Sequence, residues 1–144
     1  MIMDHKLKLM VVDDSPLFRT WLIRSLSEDD RFQVVGYAVN ALDAQEKIPL
    51  LQPDMLTLDI EMPGMSGIDF LKQLLPVHPI PVILVSSLNL RVFDALEAGA
   101  VDFVRKPDEA NGLSKEIFLS MLRSKLLVAA ASHVHLPSVP ASPQ

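Results

Sequence analysis

The stretch Leu7-Lys8-Leu9-Met10-Val11-Val12-Asp13-Asp14-Ser15-Pro16-Leu17-Phe18 decides the fold. Its first six residues are apolar at every position but Lys8. A short run of this kind, rich in Val and Leu, suits a strand buried on both faces. Two carboxylates end the run. Ser15-Pro16 then reads as a helix start, with Ser as N-cap and Pro at the first helical position, where its missing N–H costs nothing. Leu17, Phe18, Trp21, Leu22 and Leu26 recur at helical spacing and read as the core-facing side of that helix. A buried strand, an acidic end and an immediate helix together form one β-α unit.

The unit recurs along the chain. Phe32 to Ala38 is a second apolar run. Met55 to Leu58 leads into Asp59, Val82 to Val85 into Ser86-Ser87, and Val101 to Val104 into Arg105-Lys106. Asn40 caps a second helix, which Pro49 limits. Ser66 with Asp69 three residues later resembles a capping box for a third helix. Asn89 to Ala98 reads as a fourth, closed by Gly99. Ser114 to about Ala131 reads as a fifth, with Ile117, Phe118, Met121, Leu122 and Leu126 facing inward. Five β-α units in succession predict an α/β fold of (βα)5 type, a doubly wound five-stranded parallel sheet with helices on both faces. Ligands of such sheets bind at the carboxyl ends of the strands, near the topological switch point.

The bulk properties narrow the function. A length of 144 residues fits one ordinary domain, and 49% apolar residues suffice for a full core. With no cysteine, a disulfide framework, a thiolate metal site and a cysteine nucleophile are excluded. A net charge of −5 argues against nucleic acid and anionic membranes as partners. The apolar run Leu126 to Ala131 is far too short to span a bilayer, and Met1 to Lys8 lacks the apolar block of a signal peptide. A cytoplasmic location is the expectation. The composition shifts after Ala131, and the Pro/Ser-rich stretch 132–144 reads as a linker or tail following a domain of residues 1–131.

Polar residues cluster where the runs end. Asp13 and Asp14 end the first, Asp59 the third, Ser86 the fourth and Lys106 the fifth. In a parallel sheet all five meet along one edge. Three carboxylates in close company call for a cation between them, and hard oxygen ligands favour Mg²⁺. A carboxylate beside that ion can act as a nucleophile. Phosphoryl transfer depends chiefly on positioning and on neutralising the transferred oxygens. Lys106 is a compact cation suited to one phosphoryl oxygen, and the Ser86 hydroxyl can hydrogen-bond another.

Four motifs, in this order and spacing, resemble the receiver domain of two-component response regulators: Val11-Val12-Asp13-Asp14-Ser15, Leu58-Asp59-Ile60-Glu61-Met62-Pro63-Gly64-Met65-Ser66-Gly67, Val85-Ser86-Ser87 and Val104-Arg105-Lys106-Pro107. The resemblance covers roughly residues 6 to 130 and implies the flavodoxin-like receiver fold. It further implies that Asp59 is the phosphoacceptor, charged by a histidine kinase. Asp14 would bind Mg²⁺ directly, Asp13 mostly through water, and the backbone carbonyl of Glu61 would complete the protein ligands. Lys106 would contact the phosphoryl group, with a cis Lys106-Pro107 bond. Ser86 matches the switch hydroxyl and Phe103 the aromatic switch residue. By spacing alone, Phe103 reads simply as core.

The stretches around Asp59, Gly67-Ile68-Asp69-Phe70-Leu71, Pro81 to Leu88 and Gly99 to Pro107 look most like the regulatory domain of chemotaxis protein-glutamate methylesterases. There a receiver precedes a linker and a hydrolase domain, so the effector would be attached in cis. A stand-alone regulator acting on a partner protein is the alternative. An aspartyl-nucleophile phosphatase of the haloacid-dehalogenase kind is disfavoured, because Glu61 stands where that chemistry needs a second Asp. A nucleotide-binding flavodoxin-like protein is poorer still, since no Gly-rich loop follows the first run. His133 and His135 lie in the tail with no further ligands nearby. The segment from Ser86 to Ala100 is shorter than in the methylesterases, which bears on the fourth helix.

Overall fold

A computed structural model describes residues 6–87 and 91–135, the last three as backbone only. The elements are β1 (Leu7–Val12), α1 (Pro16–Ser27), β2 (Phe32–Ala38), α2 (Ala41–Leu51), β3 (Met55–Leu58), α3 (Gly67–Leu74), β4 (Val82–Ser86), α4 (Val92–Glu97), β5 (Asp102–Arg105), a 3-10 turn (Glu109–Asn111) and α5 (Lys115–His135). The strands form one sheet in the order β2-β1-β3-β4-β5, and every neighbouring pair is parallel. This is the doubly wound fold that the five β-α units predict. Its switch point lies between β1 and β3, where the chain changes its direction of travel across the sheet.

Strand alternation sorts the core into two layers. Met10, Val12, Leu56, Leu58, Val82 and Leu84 pack under α2, α3 and α4, against Ala44, Ile48, Phe70, Leu71 and Ala95. Leu9, Val11, Met55, Ile83, Val85 and Val104 pack under α1 and α5, against Leu22, Leu26, Phe118, Leu122 and Leu126. Burial on both faces explains why the central strands β3 and β4 read as continuous apolar runs.

Local signals set most helix starts. Ser15, Asn40 and Ser66 each accept a hydrogen bond from a backbone N–H of the first turn, at Phe18, Asp43 and Asp69. Gly67 opens α3 because the helix crosses very close to β3: a Cβ there would stand 2.6 Å from Ile60 Cα. Only glycine permits that approach.

Several expectations are corrected. Pro49 does not end α2, which runs to Leu51 and closes on Gln52 in the left-handed region. A proline in the last turn forfeits a single helical bond, and the Gln52 N–H still reaches Ile48 O at 2.8 Å. Leu17 is 87% exposed, since it lies about 100° around the helix from the buried row Phe18-Leu22-Ser25. Ile117 and Met121 are exposed for the same reason, flanking the row Phe118-Leu122-Leu126. β5 starts and ends one residue later than its apolar run. α4 is described from Val92; the expected start at Asn89 lies outside the described residues. α5 continues past Ala131 to His135. No glycine or proline among residues 132–135 breaks it. The tail 136–144 lies outside the described residues.

Candidate functional site

The backbone ladder assembles the site before any side chain takes part. Val12 and Leu58 are register partners in β1 and β3. The Asp59 N–H donates to Val12 O at 3.0 Å and the Asp13 N–H to Ala38 O at 3.0 Å, so both acids stand one residue beyond paired strand ends. Ser86 pairs with Arg105 across β4 and β5, and the Lys106 N–H donates to Ser86 O at 2.9 Å. Four residues far apart in sequence thus reach one sheet edge, at the switch point.

Their side chains converge on Asp59, which is 5% exposed. Its Oδ1 accepts from the Ser86 hydroxyl at 3.1 Å and from the Glu61 backbone N–H at 2.9 Å. Its Oδ2 takes the Lys106 ammonium at 3.0 Å, and the same Nζ lies 2.9 Å from Asp13 Oδ2. Asp13, 2% exposed, also accepts from the Ser15 N–H at 2.8 Å through Oδ1. Asp14 is exposed at the rim, and one carboxylate oxygen from each of Asp13, Asp14 and Asp59 lies within 4.8 Å of the others. An all-oxygen, three-carboxylate cluster suits a hard divalent cation.

The electrostatics follow from burial and partners. Desolvation raises the Asp13 pKa and the neighbouring Asp59 charge adds to the rise; the Ser15 N–H and Lys106 offset part of it. Burial works against the Lys106 ammonium, yet the bonds and charges of Asp13 and Asp59 outweigh it, and the Lys106 pKa is raised. Lys106 is therefore a permanent cation, held between two acids.

Asp13, Asp14, Asp59, Ser86 and Lys106 are brought together as expected. Glu61 contributes its backbone N–H to Asp59. Phe103 stays apart: it is partly buried against the α2–α4 layer, paired with Leu84 in the sheet. The Lys106-Pro107 bond is trans, the isomer that Xaa-Pro bonds favour by about 0.5–1 kcal/mol. Lys106 reaches Asp59 with it, helped by the backbone bond to Ser86.

Two supporting residues escaped the sequence reading. The Arg19 guanidinium donates to the Asp13 carbonyl at 2.9 Å and lies over the Tyr37 ring, with Lys47 also against that ring. Phe18 lies beneath Lys106, with Nζ 4.6 Å from its ring centroid. In sequence Phe18 is one more apolar residue of α1, and its partner is on the last strand.

The chain is similar to known proteins in sequence and fold. The response regulator receiver domain model matches residues 9–118. A protein-glutamate methylesterase/protein-glutamine glutaminase of Syntrophomonas wolfei is 46% identical over 130 residues, covering 90% of this chain and 38% of the relative. One from Vibrio vulnificus is 43% identical over 137 residues, covering 92% and 40%. The chain thus spans about two fifths of the length of these curated relatives. The response regulator domain of Thermotoga maritima CheB superposes with a TM-score of 0.80 at 37% identity, covering 88% of this chain and 98% of that one. A structure of the CheA3 P1 domain with CheY6 from R. sphaeroides matches with a TM-score of 0.73 at 27% identity, covering 88% and 99%. Family match, fold and site edge agree: the chain belongs to the response regulator receiver domain family.

Proposed function

We propose that Asp59 accepts a phosphoryl group and that the domain passes its state to an effector. The observation that supports this best is the surround of Asp59: a hydroxyl on one oxygen, an ammonium on the other and two further carboxylates at hand. An Asp59 carboxylate oxygen attacks phosphorus, an acyl phosphate bond to Asp59 forms, and the donor's bond to phosphorus breaks as its leaving group departs. Lys106 takes up an equatorial oxygen of the transferring group, and the Ser86 hydroxyl follows another. Asp13, Asp14, Asp59 and the Glu61 carbonyl would hold Mg²⁺, whose chemistry there is charge neutralisation. The donor in the cell is a histidine kinase, a reading supported by the complex of the CheA3 P1 domain with CheY6 among the structural neighbours. With Ser86 drawn toward the phosphoryl group, Phe103 moves inward and repacks the α4–β5–α5 surface.

The effector is a methylesterase domain in cis, beyond a linker that follows α5; the support is the kinship with full-length enzymes of that kind. The setting is the cytoplasm. Among the described residues no helix is long and apolar enough to cross a membrane. The test is intact mass after incubation with acetyl phosphate and Mg²⁺. The chain gains one phosphoryl mass and Asp59→Asn gains none. An unmodified wild type, or equal uptake by Asp59→Asn, sinks the proposal.

A further inference from the structure

Lys106 touches three things. Two are the carboxylates of Asp13 and Asp59, at 2.9 and 3.0 Å. The third is the Phe18 ring, whose centroid is 4.6 Å from Nζ. An ammonium has three N–H bonds, and an aromatic face attracts a cation through its quadrupole. The ring is itself braced. Trp21 packs against it at 5.6 Å and 44°, and Phe118 of α5 meets it edge-on at 5.9 Å and 64°. Phe18 is thus gripped by its own helix and by α5, while it supports a residue at the end of β5.

We infer that Phe18 is a positioning residue for Lys106, an aromatic seat that fixes the ammonium over Asp59. The inference rests on the proposed role of Lys106 as the phosphoryl ligand. A lysine stem has four rotatable carbons and loses most of its freedom when it is held to one geometry. The identity of the seat matters. A third carboxylate would hold Lys106 as well but would repel the incoming phosphoryl oxygens. An aliphatic side chain would fill the same space without attracting the cation. A neutral ring attracts the ammonium and leaves its charge free for the phosphoryl group. Phe18 also keeps water from one side of Lys106, whose side chain is 17% exposed, and so strengthens its field at Asp59.

The experiment is a double-mutant cycle on the rate of phosphorylation by acetyl phosphate, with Phe18→Leu, Lys106→Met and both together. It is run at a temperature where circular dichroism shows each variant folded. Phe18→Leu lowers the rate about three- to tenfold, the range of a partly desolvated cation–π contact, and Phe18→Tyr restores it. With Lys106→Met already present, Phe18→Leu has no further effect. A Phe18→Leu loss of equal size in both backgrounds overturns the inference, because the ring then acts through packing alone; so does a Leu variant as fast as wild type. A Lys106→Met chain as fast as wild type instead overturns the role given to Lys106, and the inference falls with it. A second readout needs neither metal nor phosphodonor. The Lys106 Hε protons are shifted upfield by the ring current in wild type and Phe18→Tyr, and the shift disappears in Phe18→Leu. Unshifted Hε protons in wild type overturn the inference.

Discussion

The β1–β3 edge and the β4–α4–β5 corner lie side by side on the sheet and are held in very different ways. At the edge, Asp13 and Asp59 are buried, each backbone N–H is tied to a neighbouring strand, and each carboxylate has two or more partners. The helices on either side start with side-chain caps from Ser15 and Ser66. At the corner, α4 has six described residues, Arg91 at its N-cap makes no side-chain cap bond, and Phe93 leaves most of its surface in solvent. A six-residue helix is too short to sustain itself and depends on the packing of Val92 and Ala95. The edge has one arrangement available. The corner has little to lose by rearranging. For a domain with the proposed function that is the useful division: the site that would receive the charge is overdetermined and the corner that would respond is loosely held.

The comparison can be broken at its strongest point first. Asp59→Asn removes the proposed acceptor, and phosphoryl uptake is lost entirely by intact mass. Gly67→Ala attacks the edge through its backbone, since the new Cβ would collide with Ile60 Cα. It lowers unfolding stability by about 1–3 kcal/mol in chemical denaturation, and a neutral result would show that the α3–β3 approach has slack. At the corner, amides of Val92 to Glu97 exchange at least about tenfold faster than those of α3, a gap of about 1.4 kcal/mol in local opening; equal protection would erase the contrast. Ser86→Ala sits on the border. It slows uptake while leaving Lys106 to hold the transferring group, and the exchange change at residues 92–105 on phosphorylation is lost.

The smallest effect is a control far from both regions. The Arg31 side chain, bonded to Asp29 at 2.7 and 2.9 Å, holds that carboxyl down to about 2 from its ordinary 3.8. A depressed carboxyl pKa stabilises the fold above its unfolded value and ceases to do so as pH falls toward the folded one. Between about pH 4 and pH 2 wild type therefore loses more stability than Asp29→Asn, by about 1 kcal/mol after solvent screening.

Much of this was legible in the sequence, and the failures share a cause. β1 and β3 fall on the residues their apolar runs predict, because central strands write their limits directly into composition, and the edge strand β2 keeps its predicted bounds too. The site was legible because every polar residue sits one or two steps past an apolar run. Leu17, Ile117 and Met121 were misplaced because helical spacing marks a broad apolar flank, and the partner surface decides which row is covered. Pro49 shows the limit of a proline rule, since the last turn of α2 still closes through Gln52 N–H to Ile48 O, and the trans Lys106-Pro107 bond departs from what the family resemblance implies. Phe18 and Arg19 were invisible as site residues because their partners, Lys106 and the Asp13 carbonyl, are fixed only when the sheet closes.

The seam between α1 and α5 also has a practical consequence. Trp21 is the single tryptophan of the chain. It stacks on Phe18 and Phe118 and lies under the Lys115 ammonium, 5.4 Å from its ring. One aromatic neighbour therefore separates the natural fluorophore from the cation at the acceptor. The unlabelled protein carries its own optical probe, and a shift in its emission on adding a divalent ion or a phosphodonor would follow the state of the pocket in real time.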